Sequence, residues 1–368
     1  RSTLFPYTTL FRSPAGGRKY DVLLAGYYGF GNLGDELLAQ SALDFLLALG
    51  VGRERLAILS ASASESGSRL GIQAFDRWSP SAVAGAIARS RSLLFAGGGL
   101  FQDASSARSP VYYWGLVRLA VLCSCRAWAI GQSVGPLSRT LSRRLTKDAL
   151  GRLAYLGVRD DPSLGQVREL GLDAIETPDL VLGFSLPKAS GRKEGSILVN
   201  IRPHPRNDCI DAVLAVSRDC ADAGLRIRGV AFCEEDRRLF AEKISRGIMP
   251  ECEIVLAKGL EDFLRISEDA FAAVGMRLHF GILSALRGLA VIMAPYDPKV
   301  LGFAERWKIP LLPRDFSGGG ERVISSLTNA GSSDTKRFES SRTALSRHFA
   351  EGLNRVLEGG PNGQRGKG

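Results

Sequence analysis

Three side chains able to handle an anion and a proton fall close together late in the chain: Arg277, His279 and Lys299. A guanidinium grips a carboxylate or phosphate with a two-pronged fork, and an ammonium meets one as a point charge. An imidazole, with an unperturbed pKa of ~6.5, moves protons at neutral pH. A lone histidine is usually structural, but the place of His279 between Arg277 and a helix start favours the catalytic reading. Arg277 is taken as its catalytic partner, and Lys299 as a substrate-binding cation.

The elements around these residues explain why they would meet. Ala270 to Val274 reads as a buried strand, Gly281 to Leu286 has helical spacing, and Leu289 to Met293 reads as the next strand. Tyr296-Asp297-Pro298-Lys299 is then a turn at its carboxyl end. Open α/β sheets bind ligands outside the carboxyl ends of their strands, so both polar loops face one crevice.

The same grammar recurs along the chain. Tyr20 to Ala25 is a strand, followed by Gly26-Tyr27-Tyr28-Gly29-Phe30-Gly31-Asn32-Leu33-Gly34-Asp35-Glu36 and a helix on which Leu38, Ala42, Phe45 and Leu49 share a face. Gly29, Gly31 and Gly34 match the GxGxxG dinucleotide fingerprint. Two features count against it: the strand Leu56 to Leu59 ends in Ser60-Ala61-Ser62 without a ribose-holding acid, and Asp35-Glu36 puts carboxylates where a pyrophosphate should sit. The bland alternative is a β–α turn capped by Asp35; the functional one is a loop in which Asn32 and Asp35 line a substrate cleft. Ser92 to Ala96 is a strand ending in Gly97-Gly98-Gly99, whose glycine run implies close approach to its backbone at Gly98 and Gly99. Ala127 to Ile130 ends in Gly131-Gln132, which adds Gln132 to the rim, and Tyr155 to Val158 ends in Arg159-Asp160, where Arg159 is either a surface ion pair with Asp160 or an anion ligand. Strands that end in glycine or charge are what a parallel sheet with its site along one edge predicts.

Residues 183–195 read as a linker rich in Gly, Pro, Ser and Lys, after which a second series begins. Ile197 to Ile201 is a strand leading to Arg202-Pro203-His204, where Arg202 is a further substrate-binding candidate and His204 a second-rank one. A helix over Asp211 to Ala223, a strand over Arg228 to Phe232 leading to Cys233-Glu234-Glu235-Asp236, and Ile254 to Leu256 complete the approach to the central segment. Beyond Gly318-Gly319-Gly320, 322–327 and 343–356 look helical, with His348 on a solvated face. The expected division is 1–18 as a non-native or disordered leader, 19–183 and 196–330 as two Rossmann-like domains with a cleft between them, and 331–368 as a C-terminal helix and disordered tail. The first thirteen residues form a nearly mirror-symmetric string that resembles translated adaptor sequence.

Composition sets the outer limits. The 368 residues carry 48 Lys+Arg against 38 Asp+Glu, a net charge of +10 that suits anionic partners. There is no run of basic residues and no aromatic-studded basic strand, so nucleic acid is not an expected partner. The six cysteines show no CxxC pair or zinc-ligand spacing and read as reduced core thiols, and no carboxylate cluster suggests a metal. The best apolar run, Val111 to Ile130, is broken by Arg118 and Arg126, so no bilayer span is expected.

The glycine-rich stretch 26–36, Gly97-Gly98-Gly99-Leu100-Phe101-Gln102-Asp103, Gly131-Gln132-Ser133-Val134-Gly135-Pro136, Val158-Arg159-Asp160, Pro178-Asp179 and Arg277-Leu278-His279, in this order and spacing, resemble the polysaccharide pyruvyl transferase family of the CsaB type. The likeness spans about residues 20 to 315. It implies a GT-B-like α/β fold of two Rossmann-like domains. It also implies transfer of a pyruvyl group from phosphoenolpyruvate to two hydroxyls of a sugar, closing a cyclic ketal, with no cofactor. The implied acceptor is similar to N-acetylmannosamine in a lipid-linked cell-wall precursor, placing the enzyme in the cytoplasm at the inner face of the membrane, in S-layer anchoring. Donor-holding residues of the family fall at Arg159, His279 and Lys299, the last by its distance from His279. The competing readings are a GT-B glycosyltransferase or sugar-nucleotide enzyme, and a non-catalytic glycan- or membrane-binding protein.

Overall fold

The computed structural model describes residues 17–104, 106–191, 195–313 and 335–358. The leader up to residue 16, the glycines and helix expected over 318–327, and the tail from 359 lie outside the described residues. The chain forms two compact units, neither continuous in sequence. The first falls within 1–30, 38–180 and 341–368, and the second within 31–37 and 181–340.

The first unit is built on a seven-stranded parallel sheet: β1 (Tyr20–Ala25), β2 (Leu56–Ser60), β3 (Gln73–Asp76), β4 (Ser90–Phe101), β5 (Arg126–Val134), β6 (Leu156–Val158) and β7 (Ile175–Glu176), in the order β3-β2-β1-β4-β5-β6-β7. Its central strands are apolar on both faces because helices cover both, which is why they read as unbroken runs of Leu, Ile, Val and Ala. Between them lie α1 (Leu33–Ala48, in this unit from Leu38), α2 (Ala63–Leu70), α3 (Pro80–Ala88), α4 (Arg108–Leu122), α5 (Thr140–Leu150) and α6 (Asp161–Glu169). Local chemistry starts two of them: Ser79 and Asp160 accept the amides of Ala82 and Ser163, with a proline in each first turn. Arg18, assigned to the leader by sequence, donates to the carbonyls of Ser90 (2.7 Å) and Ser124 (2.9 Å).

Two glycine runs read as strand-ending loops prove to be strand. β4 continues through Gly97–Gly99 to Phe101, and β5 through Gly131-Gln132 to Val134. Left-handed backbone at Gly97 (φ 69°) and Gly98 (φ 87°) shifts the register of the pair between Gly98 and Phe101 without ending it. The close approach expected there falls on Gly97, where a Cβ would lie 2.7 Å from a Leu38 methyl; around Gly99 there is nothing within 4 Å.

The second unit has a five-stranded parallel sheet, β8 (Ser196–Asn200), β9 (Arg226–Ala231), β10 (Glu253–Leu256), β11 (Ala270–Gly275) and β12 (Ala290–Met293), ordered β10-β9-β8-β11-β12. Its helices are α7 (Asn207–Asp222), α8 (Glu234–Ser245), α9 (Leu260–Ile266), α10 (Leu278–Leu286) and α11 (Pro298–Trp307). The expected turn at Tyr296–Lys299 is in fact the start of α11: Asp297 accepts the Lys299 amide and Pro298 occupies the first turn. Both sheets reverse strand order once, between β1 and β4 and between β8 and β11, the positions where open α/β sheets bind ligands.

The last helix, α12 (Thr335–Leu357), belongs to the first unit from Ser341. There Phe349 stacks on Phe45 (5.0 Å) and meets Trp128 edge-on (6.2 Å). His348 is buried, not solvated, with Nδ1 2.7 Å from the Tyr155 hydroxyl, and burial pushes its pKa down. None of the six cysteines forms a disulfide; four are buried, while Cys123 and Cys252 are half-buried.

Candidate active site

The carboxyl ends of β8, β9, β11 and β12 gather the polar residues of the second unit. Asn200, fully buried at the end of β8, donates to the Val230 carbonyl (2.8 Å) and accepts the Arg277 amide (2.9 Å), so one carboxamide ties the loop after β11 to β9. Arg277 then turns its guanidinium onto Asp236, which is fully buried: Nε and Nη2 donate to the two carboxylate oxygens at 2.6 and 2.7 Å. Asp236 also accepts the Phe232 amide at 3.1 Å. Burial works against the Arg277 charge, but the hydrogen bonds and charge of Asp236 outweigh it and raise its pKa. Cys233, 2.9 Å from Nη2, is pushed up to about 11 by burial and remains a thiol.

This geometry revises the part assigned to Arg277. Its charge is already neutralised by a buried carboxylate, leaving Nη1 to meet Asn32 Oδ1 at 3.5 Å. It braces the start of α1 and is not placed as a free catalytic cation. The Leu33 amide adds a bond to the Phe232 carbonyl (2.9 Å), which is why residues 31–37 fold with the second unit.

Anchored in this way, the start of α1 lies beside His279. A Cβ built on Gly34 would fall 2.2 Å from His279 Nδ1, so only glycine admits the imidazole. Asp35 is the next residue. It lies in the first turn of α1 and accepts a hydrogen bond from the Asn32 side chain. Burial raises the Asp35 pKa, and the charges of His279, Lys299 and Arg277, with the Asn32 hydrogen bond, pull it part of the way back. Lys299, in the first turn of α11, has Nζ 3.4 Å from Asp297. Arg202 extends the cluster, with Nη1 3.2 Å from the Tyr296 hydroxyl and its guanidinium 5.4 Å from the same ring. His204 packs edge-on against Tyr296 (4.9 Å), and burial, then the Arg202 charge, holds it below its ordinary value.

Asp35 offers a test by pH. A native carboxyl with a raised pKa binds more protons than the unfolded chain between the ordinary 3.8 and its native value. Stability therefore falls as pH rises through that window and stays lower above it. Asp35→Asn keeps an acceptor for Asn32 and removes the charge. It is expected to melt higher than the parent at pH 7 and to lose that advantage near pH 3; equal melting temperatures at pH 7 would contradict the placement.

The rim residues of the first unit are more enclosed than expected. Arg159 is 8% exposed, with Nη1 2.7 Å from Asp179, Nε 2.8 Å from Ser133 Oγ and 3.8 Å from the Asp160 carboxylate, so the expected pair with Asp160 forms in the interior, beside a closer one with Asp179, and not at the surface. Asp160 also caps α6. Gln132 is fully buried, and its amide donates to the carbonyls of Phe95 (3.2 Å) and Gly97 (2.6 Å), holding β4 at its register shift where a cleft lining was expected. Gly29 packs against the Ser60–Ser62 turn, where a Cβ would come 2.1 Å from Ser60 Oγ, so protein fills the space next to this glycine of the dinucleotide-like motif. Asp236 was missed by sequence reading: it is one of three consecutive acids, and nothing in the pattern pairs it with an arginine 41 residues away.

Two units on parallel sheets, with polar strand-end loops, define an α/β protein of the GT-B type. Solved structures agree at the level of fold. UDP-GlcNAc 2-epimerase from Methanocaldococcus jannaschii superposes with a TM-score of 0.57 at 9% identity, over 90% of this chain and 99% of that one. A putative UDP-N-acetylglucosamine 2-epimerase from Listeria monocytogenes gives 0.56 at 10% identity, over 92% and 95%. A glycosyltransferase from Rickettsia africae gives 0.54 at 12% identity, over 92% and 96%. No curated protein matches the sequence. The chain belongs to the polysaccharide pyruvyl transferase family, whose model matches residues 32–298, and it is therefore a transferase. Among the described residues, no helix is long and apolar enough to cross a membrane.

Proposed function

We propose that this transferase moves a pyruvyl group from phosphoenolpyruvate to two hydroxyls of one sugar in a cell-wall polysaccharide precursor, releasing phosphate and closing a cyclic ketal. The observation that carries this reading is the grouping of His279, Asp35 and Lys299 at the starts of three helices. The first turn of α10 has no side-chain cap, so its amides suit an anion, and Lys299 supplies charge for the same small dianion. Arg202 is the further anion ligand in this proposal.

The chemistry assigns two proton transfers. His279 delivers a proton to the methylene carbon, and positive charge develops at C2 as the methyl group forms. Asp35, made more basic by burial, takes the proton of the first hydroxyl as its oxygen bonds to C2. The phosphate then leaves C2 with its bonding electrons, the second hydroxyl closes the ring, and its proton departs with phosphate. Nothing in this scheme calls on a metal or cofactor. The acceptor we infer is an N-acetylmannosamine-like sugar on a lipid carrier, met at the inner membrane face.

Phosphoenolpyruvate is expected to raise the melting temperature, by about 2.7 kcal/mol of stabilisation at a hundred times its Kd. Inorganic phosphate should be released only with acceptor, and mass spectrometry of lipid-linked amino sugars should show the added pyruvyl mass. Stabilisation by UDP-sugars with no response to phosphoenolpyruvate would overturn the donor assignment in favour of a sugar-nucleotide enzyme.

A further inference from the structure

The first unit carries an exposed aromatic ledge that the proposed chemistry does not use. Tyr27, 45% exposed, lies flat on Phe30 (centroids 3.9 Å apart, planes 6° apart), and Trp78, 63% exposed, meets Phe30 edge-on at 6.0 Å. Beneath them Arg77 is 7% exposed, its guanidinium carbon 5.1 Å from the Phe30 ring, 5.4 Å from Trp78 and 4.5 Å from Tyr112. Arg77 Nη1 donates to the Gly26 carbonyl at 2.7 Å, which ties the cation to the loop bearing Tyr27 and Phe30. The rings are thus clamped open over a buried charge instead of folding into the core.

We propose that Tyr27, Phe30 and Trp78 form a binding platform for a sugar ring of the polysaccharide acceptor; this rests on the family's sugar acceptor, not on the identity of the donor. The loop after β1 and the Asp76–Trp78 turn after β3 lie at the carboxyl edge of the sheet, the edge at which such sheets take ligands. A pyranose presents a face of C–H groups, slightly positive, which matches the negative face of an aromatic ring. Its hydroxyls need acceptors at the edge, and the exposed Asp76 carboxylate, held by the Trp78 amide at 2.9 Å, is one. An anionic bilayer fits less well. Arg77 is buried beneath the rings, and the exposed charge held beside Trp78 is the Asp76 carboxylate, which an anionic surface would repel.

The test uses the full chain with neutral oligosaccharides containing N-acetylmannosamine, read by saturation-transfer NMR and tryptophan fluorescence. Vesicles of equal parts phosphatidylglycerol and phosphatidylethanolamine serve as the second probe. Oligosaccharide binding is expected, with Trp78→Ala and Tyr27→Ala each weakening it about tenfold. Both side chains are exposed, so melting temperatures should hold, and stabilisation by phosphoenolpyruvate should be unchanged. Equal sugar affinity in both variants, binding to vesicles alone, or no sugar binding would overturn the platform. Loss of sugar binding in the variants of a protein that ignores phosphoenolpyruvate would keep the platform and remove the donor assignment.

Discussion

Asp236→Ala is expected to destabilise the second unit by about 3–5 kcal/mol, because it leaves the Arg277 guanidinium buried without its counter-charge. Both prongs of the fork end on this carboxylate, at 2.6 and 2.7 Å, and the Arg277 side chain is only 13% exposed. Against a typical total of about 5–15 kcal/mol, the loss is large enough to see directly in thermal or urea melts. Removing both partners should cost less than the single change, since the double variant Asp236→Ala/Arg277→Ala has no unpaired buried charge. The two cases separate a strut from a catalytic cation. If Arg277 is a strut, activity in the single variants should fall along with the melting temperature. An Arg277→Ala variant that melts like the parent while losing all turnover would return Arg277 to the chemistry.

That pairing also shows where sequence reading stops. The strands were legible because a parallel sheet covered on both faces demands unbroken apolar runs, and Tyr20–Ala25 and Ala270–Gly275 are such runs. Their carboxyl ends were legible because charge or glycine must begin where the sheet ends. The rule misled at Gly97–Gly99 and Gly131, since a left-handed glycine inside a bulged strand looks the same in sequence as one in a loop. His348 was misplaced because α12 is polar on average; yet Leu345, Phe349, Leu353 and Val356, spaced by four, four and three, mark a buried stripe with His348 at its edge. The long-range partners, Asp236 for Arg277 and Asp179 for Arg159, leave no trace in spacing, because ion pairs across parallel strands connect residues tens of positions apart. The join of residues 31–37 to the second unit was hidden for the same reason. It rests on single bonds from Leu33 and Asn32 to distant loops.

His279→Ala is expected to lower turnover about 10²–10⁴-fold while the protein melts close to the parent, because the half-buried ring is the proton carrier in the proposed reaction and contributes little of the core. Loss of activity alone does not separate an acid from a spacer, and Gly34 supplies the discriminating variant. Its backbone is not left-handed, and alanine is favoured over glycine inside a helix by about 0.5–1 kcal/mol, so Gly34→Ala should cost no stability through the backbone. What it must do is move the imidazole, because the new methyl would sit 2.2 Å from Nδ1. Gly34→Ala should therefore lose turnover by tenfold or more, with the melting temperature held. Combining it with His279→Ala should cost nothing further, since the displaced group is already gone. A double variant slower than His279→Ala alone would mean that Gly34 acts through something other than the histidine. Undiminished ketal formation in His279→Ala would remove the imidazole from the reaction altogether, leaving Asp35 and Lys299 to carry it.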